Sequence, residues 1–482
     1  MSITALRQST PNRPIGSIEE FLLKSSNCRL SSIRPHHFFV PPPRTPQSAY
    51  SSSDSTAEAV FPESLIPPTA RWVRIARRCR GIRARLRYLR VMGSPTGPVR
   101  RLPRFRRPLA IVLGIVVAVA VAGSLPRWWC GRDADGWYRG DPALVRGLAE
   151  ELVAFESEDD HRRTSGSEKG LAEMWGLLAH QMTALGLAQV CLEHPELRER
   201  YAPIVTRAAV KSLLPEMRTE FTSAWHGEDG MAELDSPNGH AYLSYPALAL
   251  GMARLVDPAF PPDLADRHDA LIASLARRLL ASPTALLDTF PGRAYPTDVA
   301  AIAAAIAVHG RATGIDHKAV LAHWAQQVRA VQIDRGTGLL LQRMGVDGKA
   351  QDAPRASGTG LAAYFAGFAD RALAEELATV LFRQERKVLG FSAIHEYSDG
   401  YRGAGDMDSG PLILGISISA TGFALAPARA FGHRDMFTRL FRATDLFGLP
   451  LRSGPRLRFA TGGVIGNALL LAFLTSGPEL AP

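Results

Sequence analysis

Residues 295–310 read YPTDVAAIAAAIAVHG. Pro296 suits a first helical turn, and Thr297 or Asp298 can cap it. From residue 300 to 308 no side chain is polar. A helix that is apolar on every side belongs inside a protein. The same kind of segment recurs at starts near residues 170, 239, 358, 409 and 461, about every fifty to seventy residues, which fits a repeated helical hairpin.

Between these runs lie amphipathic ones, with charges such as Arg267, Asp269 and Arg277 on one face. Helical spacing of apolar residues predicts helices near 141–156, 170–194, 196–214, 239–255, 263–281, 296–313, 316–332, 358–370, 371–387, 409–431, 434–447 and 461–475. One short hairpin is expected across 339–355, turning at residues 345–348. Six buried helices, each paired with an outer one, close an all-α (α/α)6 toroid over residues 133–482. The run 459–475 is apolar but too short to span a bilayer, and it completes the sixth hairpin.

Upstream of that domain the composition changes. Residues 1–70 are rich in Ser and Pro and are expected to be disordered. Residues 71–107 carry fourteen Arg and no Asp or Glu. The chain as a whole has 482 residues and a formal charge of +10, leaving −5 for residues 108–482. The basic character therefore belongs to one short segment, and nucleic-acid binding by the folded body is disfavoured. Seventeen uncharged residues, Leu109 to Leu125, then span roughly 26 Å as a helix, at the short end for a membrane crossing. Trp128 and Trp129 follow where an interfacial anchor is expected. Residues 108–126 are read as a single transmembrane helix. Arginine on its N-terminal side places residues 1–107 in the cytoplasm and the C-terminal domain outside the inner (plasma) membrane. Met92 offers an alternative start that would leave 93–107 as a short cytoplasmic tail. The four cysteines, Cys28, Cys79, Cys130 and Cys191, are too scattered for a disulfide framework or a zinc site. No metal, cofactor or phosphate-loop signal is found, and oligomeric state leaves no mark in the sequence.

Candidate chemistry lies where loops meet the starts of the buried helices. Trp225, Glu228 and His240 precede one of them, with Tyr242, Ser244 and Tyr245 expected on the same helix. A histidine there suits acid/base work near neutral pH, or a hydrogen bond to a loop carbonyl. Asp298 stands at the mouth of the 296–313 helix, as a cap or as a base favoured in its ionised form by the helix N-terminus. The segment 354–360 supplies small residues. In the last group Glu396, Tyr397, Asp399, Tyr401 and Arg402 lead into Asp406 and Asp408. Two carboxylates so close can drive one pKa upward and make a general acid.

The segments 174–186, 225–245, 295–314, 334–364 and 410–428 resemble, in order and spacing, the linalool dehydratase/isomerase-like family of (α/α)6 proteins. The most specific pieces are Gly239-His240 with Tyr245 behind it, and residues 308–314. The resemblance covers about residues 140–475. It implies cofactor-independent acid/base chemistry in the toroid cavity, with the family's histidine at His240 and a tyrosine at Tyr245. The family's cysteine falls on or beside Asp298, and residues 195–482 contain no cysteine. That departure turns the site towards the wider six-hairpin glycosidases, which use paired carboxylates. The expected function is a membrane-anchored hydrolase or hydro-lyase of the cell envelope, acting on a glycan or other small hydroxylated substrate. Asp298 with Asp408 or Asp406 forms the acid/base pair, His240 assists, and Trp225, Glu228, Tyr242, Tyr245, Tyr401 and Arg402 line the site. The alternatives are hydration or dehydration of an isoprenoid alcohol, and a non-catalytic envelope scaffold. Mass spectrometry of the native N-terminus tests the start at Met92: no peptide from residues 1–80 is expected, and finding one overturns it.

Overall fold

A computed structural model describes residues 106–157, 171–406 and 409–477. Residues 1–105, including the expected cytoplasmic tail, and Asp408 lie outside them.

The described chain is mostly helical. The N-terminal helix α1 (Arg106–Gly131) is apolar and long enough to cross a membrane. It runs past the expected end at residue 126 and takes in Trp128 and Trp129. The body that follows contains α2 (Pro142–Ser157), α3 (Leu171–Glu193), α4 (Arg198–Ser212), α5 (Ser244–Val256), α6 (Pro262–Ala281), α7 (Pro296–Thr313), α8 (Lys318–Gln327), α9 (Ala356–Ala366), α10 (Arg371–Arg383), α11 (Ile418–Phe423), α12 (Leu425–Ala430), α13 (Arg434–Gly448) and α14 (Gly463–Leu474).

Two populations separate by burial. Helix α7 is buried on all sides from Pro296 to His309, and every residue of α9 is buried. Outer helices bury one stripe only. In α13 the buried residues are Met436, Phe437, Leu440, Phe441 and Ala443, at helical spacing. The inner helices pack in chain order: α3 on α5, α5 on α7, α7 on α9, α9 on α11 and α12, and these two on α14. Helix α14 packs back on α3, so the circuit of contacts returns to its start.

Small residues set the spacing of these seams. A Cβ on Gly186 of α3 would sit 3.0 Å from the Ala472 backbone nitrogen of α14. On Gly251 of α5 it would meet the Val308 side chain of α7 at 3.0 Å. On Gly360 of α9 it would meet Phe423 of α11 at 3.1 Å. At these distances a larger side chain requires its neighbour to give way by a few tenths of an ångström.

Short antiparallel hairpins lie before several inner helices. Strands β1 (Asp288–Phe290) and β2 (Arg293–Ala294) lead into α7. Strands β3 (Glu385–Val388), β4 (Phe391–His395), β5 (Leu412–Ile413) and β6 (Ile416–Ser417) form one sheet ahead of α11, in the order β3-β4-β6-β5. Strands β7 (Pro450–Ser453) and β8 (Arg456–Phe459) precede α14. The expected hairpin at 339–355 is present only as isolated bridges, Leu341 to Pro354 and Met344 to Ala350, with a turn closed from Gly348 to Gly345.

Two local expectations are corrected. Residues 412–417 form a hairpin rather than the start of a helix, because Leu414 and Gly415 both take positive φ and reverse the chain. The helix starts at Ile418, capped by the Ser417 side chain, which accepts the Ala420 N–H. It breaks at Ala424, where Pro427 has no N–H to offer the Phe423 carbonyl. The other correction concerns His240. It lies ahead of its helix in a left-handed conformation (φ 43°), and residues 241–243 form a 3₁₀ turn before α5. His240 and Ser244 therefore do not share one face of a continuous helix.

Gly186→Val is expected to force apart the seam between α3 and α14 and to cost about 1–3 kcal/mol. Thermal melting checks this; an unchanged melting temperature would mean that the seam tolerates separation.

Candidate functional site

Asp298 is fully buried. Its Oδ1 accepts the Tyr245 hydroxyl at 2.5 Å and its Oδ2 accepts the Thr289 hydroxyl at 2.6 Å. Tyr245 belongs to α5 and Thr289 to β1, so one carboxylate joins three elements.

The β1 connection leads directly to the histidine. The Trp225 indole N–H donates to the Thr289 carbonyl at 3.1 Å, and the Trp225 and His240 rings lie 4.6 Å apart. His240 Nε2 is 2.6 Å from Glu228 Oε1. Burial, opposed by Glu228, holds His240 below the ordinary histidine pKa. The neutral ring then donates Nε2–H to Glu228, a tautomer assigned from the hydrogen bond. Its Nδ1 keeps a lone pair and has no hydrogen-bond partner among the described residues. Glu228 also accepts from the Ser236 hydroxyl and from Asn238 Nδ2 at 2.6 Å. The bonds from Ser236 and His240 keep its pKa low. Close approach at this loop depends on Gly230, whose Cβ would fall 2.6 Å from the imidazole. Tyr242 stacks on Phe221 at 4.3 Å, and its hydroxyl accepts the Gly230 N–H at 3.1 Å.

A second acidic group lies at the N-terminus of α9. Glu396, directly after β4, is fully buried. It accepts the Ser357 hydroxyl at 2.5 Å and the Ser357 N–H at 3.3 Å. Its backbone is held on both sides, with its N–H on the Gly415 carbonyl and its carbonyl taking the Ala356 N–H, each at 2.9 Å. Burial outweighs the Ser357 bond and the nearby Arg355 charge, and pushes its pKa up to about 7. Asp406 pairs with Arg355, which also holds Asp352 at 2.7 Å, and Asp406 Oδ1 accepts the Ser409 N–H at 3.0 Å. Beside Glu396 the two partners act in opposite directions, Arg355 lowering its pKa and Asp406 raising it. The two clusters sit at neighbouring helix mouths: Thr297, next to Asp298, donates its hydroxyl to the carbonyl of Gly358, next to Ser357, at 3.1 Å.

The structure thus gathers Asp298, Tyr245, Trp225, His240, Glu228 and Tyr242 into one connected cluster. Asp406 goes to a second cluster. Tyr401 and Arg402 are exposed, with the Tyr401 hydroxyl 3.3 Å from Asp334. Asp408 lies outside the described residues. Thr289 and Glu396 were not singled out as site residues. Glu396 is distinguished only in the structure, where Ser392, Ile394 and Glu396 alternate onto one buried face. A carboxylate on the buried face of a strand is costly unless partnered. A shallow cleft lined by residues including Tyr364, Phe368, Arg371 and Phe431 opens towards the C-terminal end of α9 rather than at these clusters.

No family model matches the chain, and no curated protein matches it. Among solved structures, it is similar to the unsaturated glucuronyl hydrolase of Bacillus sp. GL1, described as responsible for degradation of glycosaminoglycan. The two share 11% identity with a TM-score of 0.45, over 70% of this chain and 96% of that one. At that score the overlap carries no information about substrate or activity.

The raised Glu396 pKa has a definite sign. The folded state holds the proton more tightly than the unfolded chain, so this contribution is full below the unfolded value and is lost as pH rises through about 7. Glu396→Gln is expected to remove up to about 3 kcal/mol of that pH dependence. Thermal melts from pH 4 to 8 check it; an equally steep decline in the variant contradicts the assignment.

Proposed function

We propose that this chain is a membrane-anchored, cofactor-independent acid/base enzyme of the cell envelope, built as an (α/α)6 toroid and acting on a carbohydrate or similarly hydroxylated substrate. The observation that carries the reading is Asp298, a buried carboxylate placed at an inner-helix mouth and held by hydroxyls from two other elements. The return of α14 to α3 supports the toroid, and α1 supports the anchor.

In this proposal Asp298 is the base and Glu396 replaces Asp406 and Asp408 as the acid. For hydrolysis, Asp298 takes a proton from water while Glu396 donates one to the departing oxygen. For elimination, the same base removes a proton from carbon and the same acid protonates the leaving group. Tyr245 and Thr289 fix the base, and the Glu228–His240 pair orients substrate hydroxyls at the neighbouring mouth. Asp298, Glu396 and His240 are all fully buried, so substrate binding requires their covering loops to move aside. The abundance of carboxylates around Tyr245 and His240 weighs against an isoprenoid alcohol, which would favour an apolar lining.

Activity against a panel of neutral and uronate-containing oligosaccharides, followed by reducing-end release and by absorbance of unsaturated products, tests the proposal. Asp298→Asn and Glu396→Gln are each expected to lower turnover about 10²–10⁴-fold while the fold persists. Unaltered turnover, or no turnover by the wild-type protein on any member, would favour the scaffold reading. The anchor has its own check: a chain beginning at residue 132 is expected in the soluble fraction and the full chain in the membrane fraction.

A further inference from the structure

Helix α7 carries a second polar cluster at its far end, about fifteen Å from Asp298 by helical rise. His309 lies there, buried, within residues 308–314. Its Nε2 is 2.9 Å from Asp269 Oδ1 on α6, and its Nδ1 is 2.8 Å from His317 Nε2. His268, beside Asp269, is fully buried, and its ring lies 5.1 Å from that of His309. The His268 ring faces α5, where the Ala247 backbone holds it only loosely, and among the described residues neither nitrogen has a partner of good hydrogen-bond geometry. A histidine so weakly held in the interior carries a desolvation cost. A ligand to one nitrogen removes part of that cost.

We propose that His268, Asp269 and His309 bind a divalent transition-metal ion of the zinc class, with His317 fixing the His309 ring from behind. One nitrogen or oxygen from each of the three lies within 4.8 Å of the others. Around a tetrahedral ion with bonds of about 2.0–2.1 Å, donor atoms stand about 3.3 Å apart, so closure takes shifts of roughly 1 Å. Two imidazoles and a carboxylate suit zinc rather than magnesium or calcium. With Nε2 on the metal, His309 Nδ1–H donates to His317, the outer-shell bond that orients metal-bound histidines. Asp269 is 44% exposed at its side chain and gives the ion a path from solvent. The opposing charge is Arg254 of α5, which pairs with the same Asp269 oxygen. The ion displaces it. The sequence spacing hid this site because the donors come from two helices, forty residues apart in the chain between Asp269 and His309.

The test uses the detergent-solubilised full chain, stripped with chelator, titrated with zinc chloride by calorimetry and with cobalt(II) by visible absorption. One ion per chain with a tetrahedral cobalt spectrum is expected. Asp269→Asn, at a half-exposed position, should weaken binding by about tenfold or more. Arg254→Gln removes the competing cation and should tighten binding, whereas a purely hydrogen-bonded cluster would only lose stability. Absence of saturable binding, or affinity unchanged in both variants, overturns the proposal.

Discussion

The organisation of the candidate site rests on one buried carboxylate. Asp298 is held by hydroxyls of Tyr245 and Thr289, and Thr289 in turn takes the Trp225 indole on its carbonyl. Through these bonds α5, α7, β1 and the loop before His240 are fixed relative to each other. A desolvated charge demands such partners, since an unpaired carboxylate would protonate or unfold its surroundings. Deleting one of the hydroxyls would leave a buried acceptor short of a donor, typically a cost of about 1–3 kcal/mol. The same constraint gives the site its rigidity.

The inner helices impose the complementary constraint. Their small residues bring backbones together at the seams, and their mouths are then lined by hairpins rather than by long side chains. Glu396 shows the consequence. Sheet pairing on one side and the Ala356 N–H on the other place it against the first turn of α9. There burial dominates over the helix N-terminus and the Arg355 charge, and the carboxyl holds its proton to about pH 7. Asp298 and Glu396 sit at adjacent mouths in different surroundings, Asp298 accepting two hydroxyls and Glu396 dominated by burial.

Much of this was legible in the amino-acid order, and the illegible part has physical causes. The apolar run after Asp298 identified α7 from Pro296 to Thr313. His240 was placed one turn too far into its helix, because its left-handed backbone is selected by packing against Gly230 and Trp225, not by local propensity. The hairpin at 412–417 was read as helix because Leu412, Ile413 and Ile416 fit either pattern; the reversal at Leu414 and Gly415 decides it. Glu396 stood in a crowded acidic stretch, where the closeness of Asp406 and Asp408 drew attention first. Only its burial distinguishes it, and burial depends on pairing between β4 and β6. The metal-ligand cluster shows the same limit, since it forms between helices.

The central claim is that the buried Glu396 carboxyl holds its proton to about pH 7. Infrared difference spectroscopy of the protonated carboxyl stretch measures this directly. The account predicts a band that titrates near pH 7, disappears in Glu396→Gln and persists in Asp298→Asn. A band absent at pH 6, or one lost in Asp298→Asn and kept in Glu396→Gln, would contradict it.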